Sequence, residues 1–452
     1  MSIKSLTPLE GRYGAITEPL ESYFSEWALI KYRLHVEVEW LIAMSGNPVL
    51  AEIREFTPEE ISFLRDLVKN FDETAALKIK EIERTTNHDV KAIEYYLRET
   101  LGAMSLSDVL EFIHFSCTSE DINNLSYALM LKHGIEDVWL PAAQTLVDTV
   151  TAMAEEEKSI PMLAHTHGQS ASPTTAGKEL AVFVYRWNRQ LKQIRAQEYL
   201  GKFNGAVGNY NAHSIAYPNA DWENIARSFI EGLGLTFNPL TTQIESHDYV
   251  AETFHAMTRF NNILLDFDRD MWLYISLGYF KQKAIAGEVG SSTMPHKINP
   301  IDFENSEANL GLSNAVLDHL ANKLPISRLQ RDLSDSSAQR NIGTGIAHAQ
   351  IAITYTLKGL RKTVVNREEL AGDLEHAWEV LAEAVQTVMR KNGHANSYDK
   401  LKAITRGKGI TEEDMRSFIE GLELPSDDKK RLLALTPSTY FGIAPSLVDH
   451  IK

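Results

Sequence analysis

Proline is absent from four long stretches of this 452-residue chain: 59–140, 174–217, 240–294 and 326–424. Proline removes an amide donor and clashes with the preceding turn, so its absence leaves these stretches open to long helices. The apolar residues then decide. Val250, Phe254, Met257, Phe260, Leu264, Phe267, Met271 and Ile275 recur every three or four positions. That spacing predicts one long buried helix over residues 246–280, with a single apolar stripe of about seven turns. Asp266, Asp268, Arg269 and Asp270 fall on other faces. The stretch after Pro173 repeats the pattern with Ala176, Leu180, Phe183, Trp187, Leu191 and Ile194. Ser172 and Pro173 there suit an N-cap followed by proline at the first helical position.

A helix of ~28 residues is about 42 Å long. Helices of that length bury their stripes against one another in bundles. Strand alternation with hairpin turns, a βαβ rhythm, internal repeats and low-complexity segments are not evident. The pattern predicts an all-α chain of three helical regions. Residues 1–115 hold helices broken by polar loops, and 116–362 hold the central long-helix bundle. Residues 363–452 hold shorter helices with breaks at Asn392-Gly393, Arg406-Gly407 and Pro425.

Composition excludes some classes of function. The net charge of −16 and a pI near 5.4 argue against nucleic acid or an anionic membrane as the main partner. A small anionic substrate stays open, because a few local cations outweigh distant charge. One cysteine, Cys117, excludes an internal disulfide and fits a reducing, cytoplasmic compartment. The amino terminus MSIKSLTPLEGRYG has no apolar core, so no signal peptide is expected. No stretch approaches ~18 uninterrupted apolar residues, so no membrane span is expected.

Five segments could carry chemistry. Gly290-Ser291-Ser292-Thr293-Met294 is small and flexible, and Pro295-His296-Lys297-Ile298-Asn299-Pro300 leads into a helix start. Asn299 can cap that helix, Pro300 suits its first turn, and Asp302 and Glu304 suit its positive end. Hydroxyls and a lysine beside a helix N-terminus form a natural seat for carboxylates. A surface linker before a capped helix explains the same residues. His165 and His167, spaced by two, could ligate metal, but no cysteine or barrel pattern accompanies them, and no metal is expected. A structural histidine bonded to backbone is their other reading.

Arg84-Thr85-Thr86-Asn87-His88-Asp89 precedes a helix that Asn87 could cap. Thr118-Ser119-Glu120-Asp121 reads as a capped helix start with acids in its first turn. Arg328, Arg331 and Arg340 lie in a loop-like run, and arginines there could bind phosphate or form an ordinary solvated cluster. The Gly201–Asn209 run lacks dinucleotide spacing and a preceding strand, which rejects a Rossmann reading.

Residues 290–300 match the GSSxMPxKxNP loop of the fumarase/aspartase superfamily at every fixed position. THGQ at 166–169 and TSED at 118–121 resemble its other two shared regions. The resemblance spans nearly the whole chain and is closest to the bacterial adenylosuccinate lyases, through GRYG, ERTTNHDVKA, FxCTSEDINN, GAVGNYNAH and GSSTMPHKINPIDFENSE. His296 differs from the MPAK and MPQK forms of other branches.

The resemblance implies an all-helical homotetramer with a four-subunit central bundle. Its active sites would be shared between subunits and would work without a cofactor. It implies β-elimination of fumarate from two small-molecule substrates, adenylosuccinate and the purine intermediate SAICAR. By the same resemblance Ser291 is the base and His167 the acid. Arg12, Tyr13, Arg331, Ser336 and Arg340 would hold the phosphate end. Asn87, His88, Asp89, Thr118 and Ser119 would line the site, and Gln243, Lys297 and Asn299 would face the succinyl part. Glu304 would orient His167 or His88, and Asn305 would join the binding set. Another fumarate-releasing lyase of the superfamily is the nearest competing reading. A non-enzymatic, crystallin-like structural protein is a second, which the presence of His167, Ser291 and Lys297 disfavours.

Overall fold

The computed structural model describes residues 3–283, 294, 297–405 and 409–452. The stripe forms a 29-residue helix, Asp248–Ser276, about 43 Å long. Val250, Phe254, Met257, Phe260, Leu264, Phe267 and Met271 are all buried along it, and Ile275 is half-buried. Its ends fall inside the expected range for local reasons. His247, with φ of +63°, turns the chain and offers its carbonyl to the amide of Val250 at 3.1 Å. At the other end Gly278 takes φ of +80°. The Tyr279 amide then reaches the Tyr274 carbonyl at 2.9 Å, and the Gly278 amide reaches that of Ile275 at 3.1 Å. This pair of bonds is a Schellman stop, and its left-handed position favours glycine.

The chain divides into two compact units. The first comprises Met1–Ala143, Gln190–Asn261 and Ala308–Ala352; the second comprises Gln144–Arg189, Asn262–Glu307 and Ile353–Lys452. In the first unit Trp139 meets Phe260 edge-on at 5.1 Å. Asn261 donates to Ser313 Oγ and to Asn314 Oδ1, both at 3.0 Å, and Ser313 donates to the Gly345 carbonyl at 2.8 Å. A Cβ on Gly345 would lie 2.8 Å from the tip of the Leu317 side chain, so glycine lets these helices approach without moving it.

In the second unit Phe267 packs against Phe183 at 5.2 Å and Trp187 at 5.3 Å. Short helices follow, including Ala382–Lys391, Ser397–Thr405, Glu412–Glu420 and Ser426–Leu433. They enclose a core that includes Leu381, Val385, Met389, Leu401, Met415, Ile419 and Leu432. The expected breaks at Asn392-Gly393 and Pro425 stand as a helix end and a helix start. Arg406-Gly407 lies outside the described residues.

The structure corrects three local expectations. The helix after Pro173 starts at Ala176. Thr174 and Thr175 first pair with Met162 and Pro161 as strand, which keeps the backbone extended. Thr175 Oγ1 then accepts the Lys178 amide at 3.3 Å, while Ser172 bonds to Glu383 instead. Pro300 precedes the Ile301–Lys323 helix, its carbonyl accepting the Phe303 amide at 3.2 Å, rather than sitting in the first turn. Four two-stranded ribbons also occur among the described residues. Each of their strands is two or three residues long, too short for any alternation to register in the sequence.

Asp268, on the long helix, is buried and accepts from Thr356 Oγ1 at 2.8 Å. Burial pushes its carboxyl well above the usual range, against the opposing pull of bonds from Ser306 and Thr356. The folded chain therefore keeps a proton that the unfolded chain releases, so this residue's contribution worsens as pH rises above the ordinary carboxylate value. Asp268→Asn keeps the acceptor and has no proton to lose. Calorimetry should show its midpoint raised by a few degrees at about pH 8, the gain shrinking toward about pH 4. A gain of equal size at both pH values would count against a neutral Asp268.

Candidate active site

Within the first unit, three segments expected to line a site come together. The helix Glu73–Thr86 ends at Asn87, whose φ of +50° reverses the chain within one residue. Asparagine tolerates this left-handed conformation. Asn87 therefore ends the preceding helix, and the capping role expected of it passes to His88. His88 Nδ1 accepts the Lys91 amide at 3.1 Å. That bond leaves the proton of the neutral ring on Nε2, which lies 3.5 Å from Ser119 Oγ. Thr118 starts the helix Ser119–Gly134 as expected, its amide donating to Asp121 Oδ2 at 2.8 Å. The neighbouring thiol of Cys117 is pushed well above its usual range by burial.

Asp89 links this corner to the arginine segment. Its Oδ2 lies 2.8 Å from Arg33 and 3.2 Å from Arg340. Burial alone would raise the Asp89 carboxyl, but Arg33, the Val90 amide and Arg340 outweigh it and hold it below the usual range. Arg340 also pairs with Glu26 at 2.8 Å. Arg331 donates to Gln243 Oε1 and to Ser336 Oγ, both at 3.2 Å, and pairs with the buried Glu120 at 3.0 Å. Its buried Nε has no partner among the described residues. Beside Ser336, the buried Asp335 lies 3.8 Å from His247. Its carboxyl sits below the usual range because the nearby His247, the bond from the Ser336 amide and the charge of Arg331 outweigh burial. Arg12 lies 5.9 Å over the ring of Tyr13, which precedes the helix Gly14–Phe24.

The second unit holds the other candidates. His165-Thr166 pairs with Gln169-Ser170, and His167 and Gly168 form the two-residue turn between them. Their φ angles are +54° and +72°, the pattern of a type I′ turn. A left-handed histidine is uncommon and strained, so the turn holds an exposed ring at its tip. Below it the Ala171 amide donates to the Ala164 carbonyl at 2.8 Å. Tyr440 donates at 3.0 Å to Glu383, the carboxylate that also receives Ser172.

Lys297 is exposed, and its amide donates to the Met294 carbonyl at 3.0 Å. The Gln282 amide nitrogen, in its satisfied orientation, faces the carbonyls of Ile298 at 3.1 Å and Asn299 at 3.3 Å. Glu304 accepts from the Trp272 indole at 3.0 Å. Asn305 is half-buried on the same helix as Glu304. Ser291, with the rest of 284–293, lies outside the described residues.

Sequence reasoning missed the partners that hold these groups. Arg33 and His247 carried no motif. Glu120 and Asp121 stand in the sequence as first-turn acids of the TSED run, with no sign of their long-range partners, and Lys202 lies in a run without dinucleotide spacing. A lysine inside an otherwise apolar and glycine-rich run was the available signal. Among the described residues no group of three His, Cys, Asp or Glu side chains is placed to hold a metal ion. None of their helices is long and apolar enough to cross a membrane.

A family model described as lyase matches residues 11–316, and one described as adenylosuccinate lyase C-terminal matches 327–441. The chain is 57% identical to an adenylosuccinate lyase of Vibrio cholerae over 452 residues, covering all of this chain and 99% of that one. Identity is 55% to that of Haemophilus influenzae and 54% to that of Escherichia coli K12, with the same coverage. A fumarate lyase from Mesorhizobium shares the fold at a TM-score of 0.76 and 18% identity, covering 96% of this chain and 97% of that one. A 3-carboxy-cis,cis-muconate lactonizing enzyme from Pseudomonas putida does so at 0.73 and 19%, covering 96% of each chain.

Arg33 has a side chain only 3% exposed, so Asp89 is the charge that justifies its burial. Asp89→Asn should cost ~3 kcal/mol, the usual consequence of stranding one member of a buried pair. The check is the midpoint of urea unfolding. Because the Asp89 carboxyl is held low, its contribution is present above the ordinary carboxylate pKa and is lost as pH falls through the depressed value. The difference between the two proteins should therefore narrow in acid.

Proposed function

The chain belongs to the adenylosuccinate lyase family, and on that footing we propose how its residues carry out the family's reaction. It is a carbon–nitrogen lyase that eliminates fumarate from adenylosuccinate, leaving AMP. We extend the reading to the same elimination on SAICAR, giving AICAR. The observation that carries the site reading is the meeting, within one unit, of the 87–89, 118–121 and 331–340 segments through Asp89–Arg340, His88–Ser119 and Arg331–Glu120.

The elimination poses two proton problems. A weakly acidic C–H beside a carboxylate must lose a proton, and the departing nitrogen must gain one as the C–N bond breaks. Ser291 takes the carbon-bound proton, and His167 delivers a proton to nitrogen. The carbanion adds charge to a carboxylate. Lys297 and the N-terminus of the helix after Pro300 favour that charge. Gln243, Lys297 and Asn299 bind the succinyl part, Asn305 joins the binding set, and Glu304 places an imidazole. The unpartnered Nε of Arg331 is a donor for a substrate anion, and a bidentate guanidinium suits phosphate. Gln243, bonded to Arg331, acts with that arginine. Ser336, Arg340, Arg12 and Tyr13 complete the phosphate end, with Asn87, His88, Asp89, Thr118 and Ser119 along the wall.

The reading includes a cytoplasmic homotetramer whose active sites draw residues from several subunits. The exposed His167 turn supports it: a strained, exposed catalytic ring gains water exclusion and partners only when another surface covers it. Mixing His167→Ala tetramers with Ser291→Ala tetramers under subunit exchange should restore part of the activity. No recovery despite proven exchange would sink the shared-site idea.

The ultraviolet absorbance change with adenylosuccinate tests the activity itself, with argininosuccinate, aspartate and malate expected to be inert. Ser291→Ala and His167→Ala should each lower turnover by about 10²–10⁴-fold. KM should change far less, since the phosphate and carboxylate contacts remain. Arg331→Ala should instead raise KM strongly. Ser292→Ala is the control. If it abolished turnover while Ser291→Ala kept it, the base would be the second serine.

A further inference from the structure

The only fully buried lysine–carboxylate pair recorded among the described residues, Lys202 with Asp121, stands outside the proposed chemistry. Burying two charges is costly and is no general source of stability, so this pair calls for a reason. Asp121 accepts from four donors: the Thr118 amide at 2.8 Å, the Asn204 amide at 3.0 Å, the Gly205 amide at 3.2 Å and Lys202 Nζ at 2.8 Å. Lys202 Nζ also donates to the Gly205 carbonyl at 3.1 Å. One carboxylate thereby ties the start of the helix bearing Thr118 and Ser119 to the 202–208 loop.

That loop presses on the segment carrying Gln243. Gly208 has φ of +81°, and a Cβ there would lie 2.3 Å from the Thr241 carbonyl oxygen and 2.8 Å from that of Thr242. Asn204 donates to Thr241 Oγ1 at 2.8 Å. Gln243 Nε2 donates to the Ala206 carbonyl at 2.8 Å, while its Oε1 receives Arg331 at 3.2 Å. Arg331 returns to Glu120, the residue beside Asp121, at 3.0 Å. The bonds form a closed ring: Asp121, the 204–206 backbone, Gln243, Arg331 and Glu120.

We infer that Asp121 and Lys202 are positioning residues for substrate binding, acting through the 204–208 loop on Gln243 and Arg331. The inference rests on the reading of Gln243 and Arg331 as substrate-binding groups. A single orientation of Gln243 serves both contacts, because its amide nitrogen is committed to Ala206 and its oxygen to Arg331. When the loop loosens, the Gln243 amide rotates and Arg331 loses its aim.

The test is steady-state kinetics on the full-length enzyme with adenylosuccinate, alongside thermal midpoints. The variants are Gln243→Ala, Lys202→Met, Gly208→Ala and the double variant Lys202→Met/Gln243→Ala. Gln243→Ala should raise KM about tenfold, the usual weight of a hydrogen bond to a charged group. Lys202→Met and Gly208→Ala should raise KM comparably with kcat changed less than about threefold, and the double variant should be no worse than Gln243→Ala, as acting through one residue requires. Gly208 lies in an outer loop and strands no buried charge, so it decides the matter if Lys202→Met does not fold. The inference is overturned if Gln243→Ala raises KM while Gly208→Ala leaves it unchanged, or if the Lys202→Met and Gln243→Ala factors multiply. An unchanged KM in Gln243→Ala itself overturns the substrate-binding reading of that residue, and the inference with it.

Discussion

Burial of the stripe from Val250 to Met271 is the interaction on which the rest depends. Those seven side chains are buried along one helix. Each large apolar side chain taken from water contributes roughly 1.5–3 kcal/mol. That gain commits this stretch of the chain to a rod about 43 Å long. Phe183 and Trp187 meet it through Phe267, and Trp139 meets it through Phe260. The polar groups on its other faces follow: Asn261 finds Ser313 and Asn314, and Asp268 finds Thr356.

Long rigid helices leave their chemistry to their ends. His88, Thr118 and Pro300 all stand immediately before a helix. There the amides lack partners within the helix, and the dipole favours negative charge. Carboxylates of the chain already exploit this, as Asp121 does at Thr118. A substrate rich in carboxylate and phosphate groups suits the same physics. The arginines are not left to solvent either. Glu26, Asp89 and Glu120 hold Arg340 and Arg331 in place, so a chain of net charge −16 can present oriented cations locally.

The long helices were legible in the sequence because the period of a buried helix is written in residue spacing, and seven turns of it leave no ambiguity. Capping at Thr118 was legible for a similar reason, since the cap and its acids lie within four residues. The turn at His167 was not. Sequence signals for a type I′ turn rest on asparagine, aspartate and glycine, and a histidine at the first position carries no such signal. The shift of the helix start from Pro173 to Ala176 was hidden as well, because it follows from the pairing of Thr174 and Thr175 with Met162 and Pro161, which lie more than ten residues away from them.

The sequence by itself determined the helical class, the long buried helix and the family, and resemblance to that family supplied the candidate catalytic and binding residues. Each of these is carried by residues close together in the chain, through periodicity, capping or a contiguous motif. Only the tertiary structure decided what holds those residues. Arg33 beside Asp89, Glu120 beside Arg331 and Lys202 beside Asp121 join positions separated by 56, 211 and 81 residues. A charge pair across such distances leaves no mark in local spacing. It exists because packing of the apolar stripes brings the helix ends together, and burial then forces each charge to find its partner.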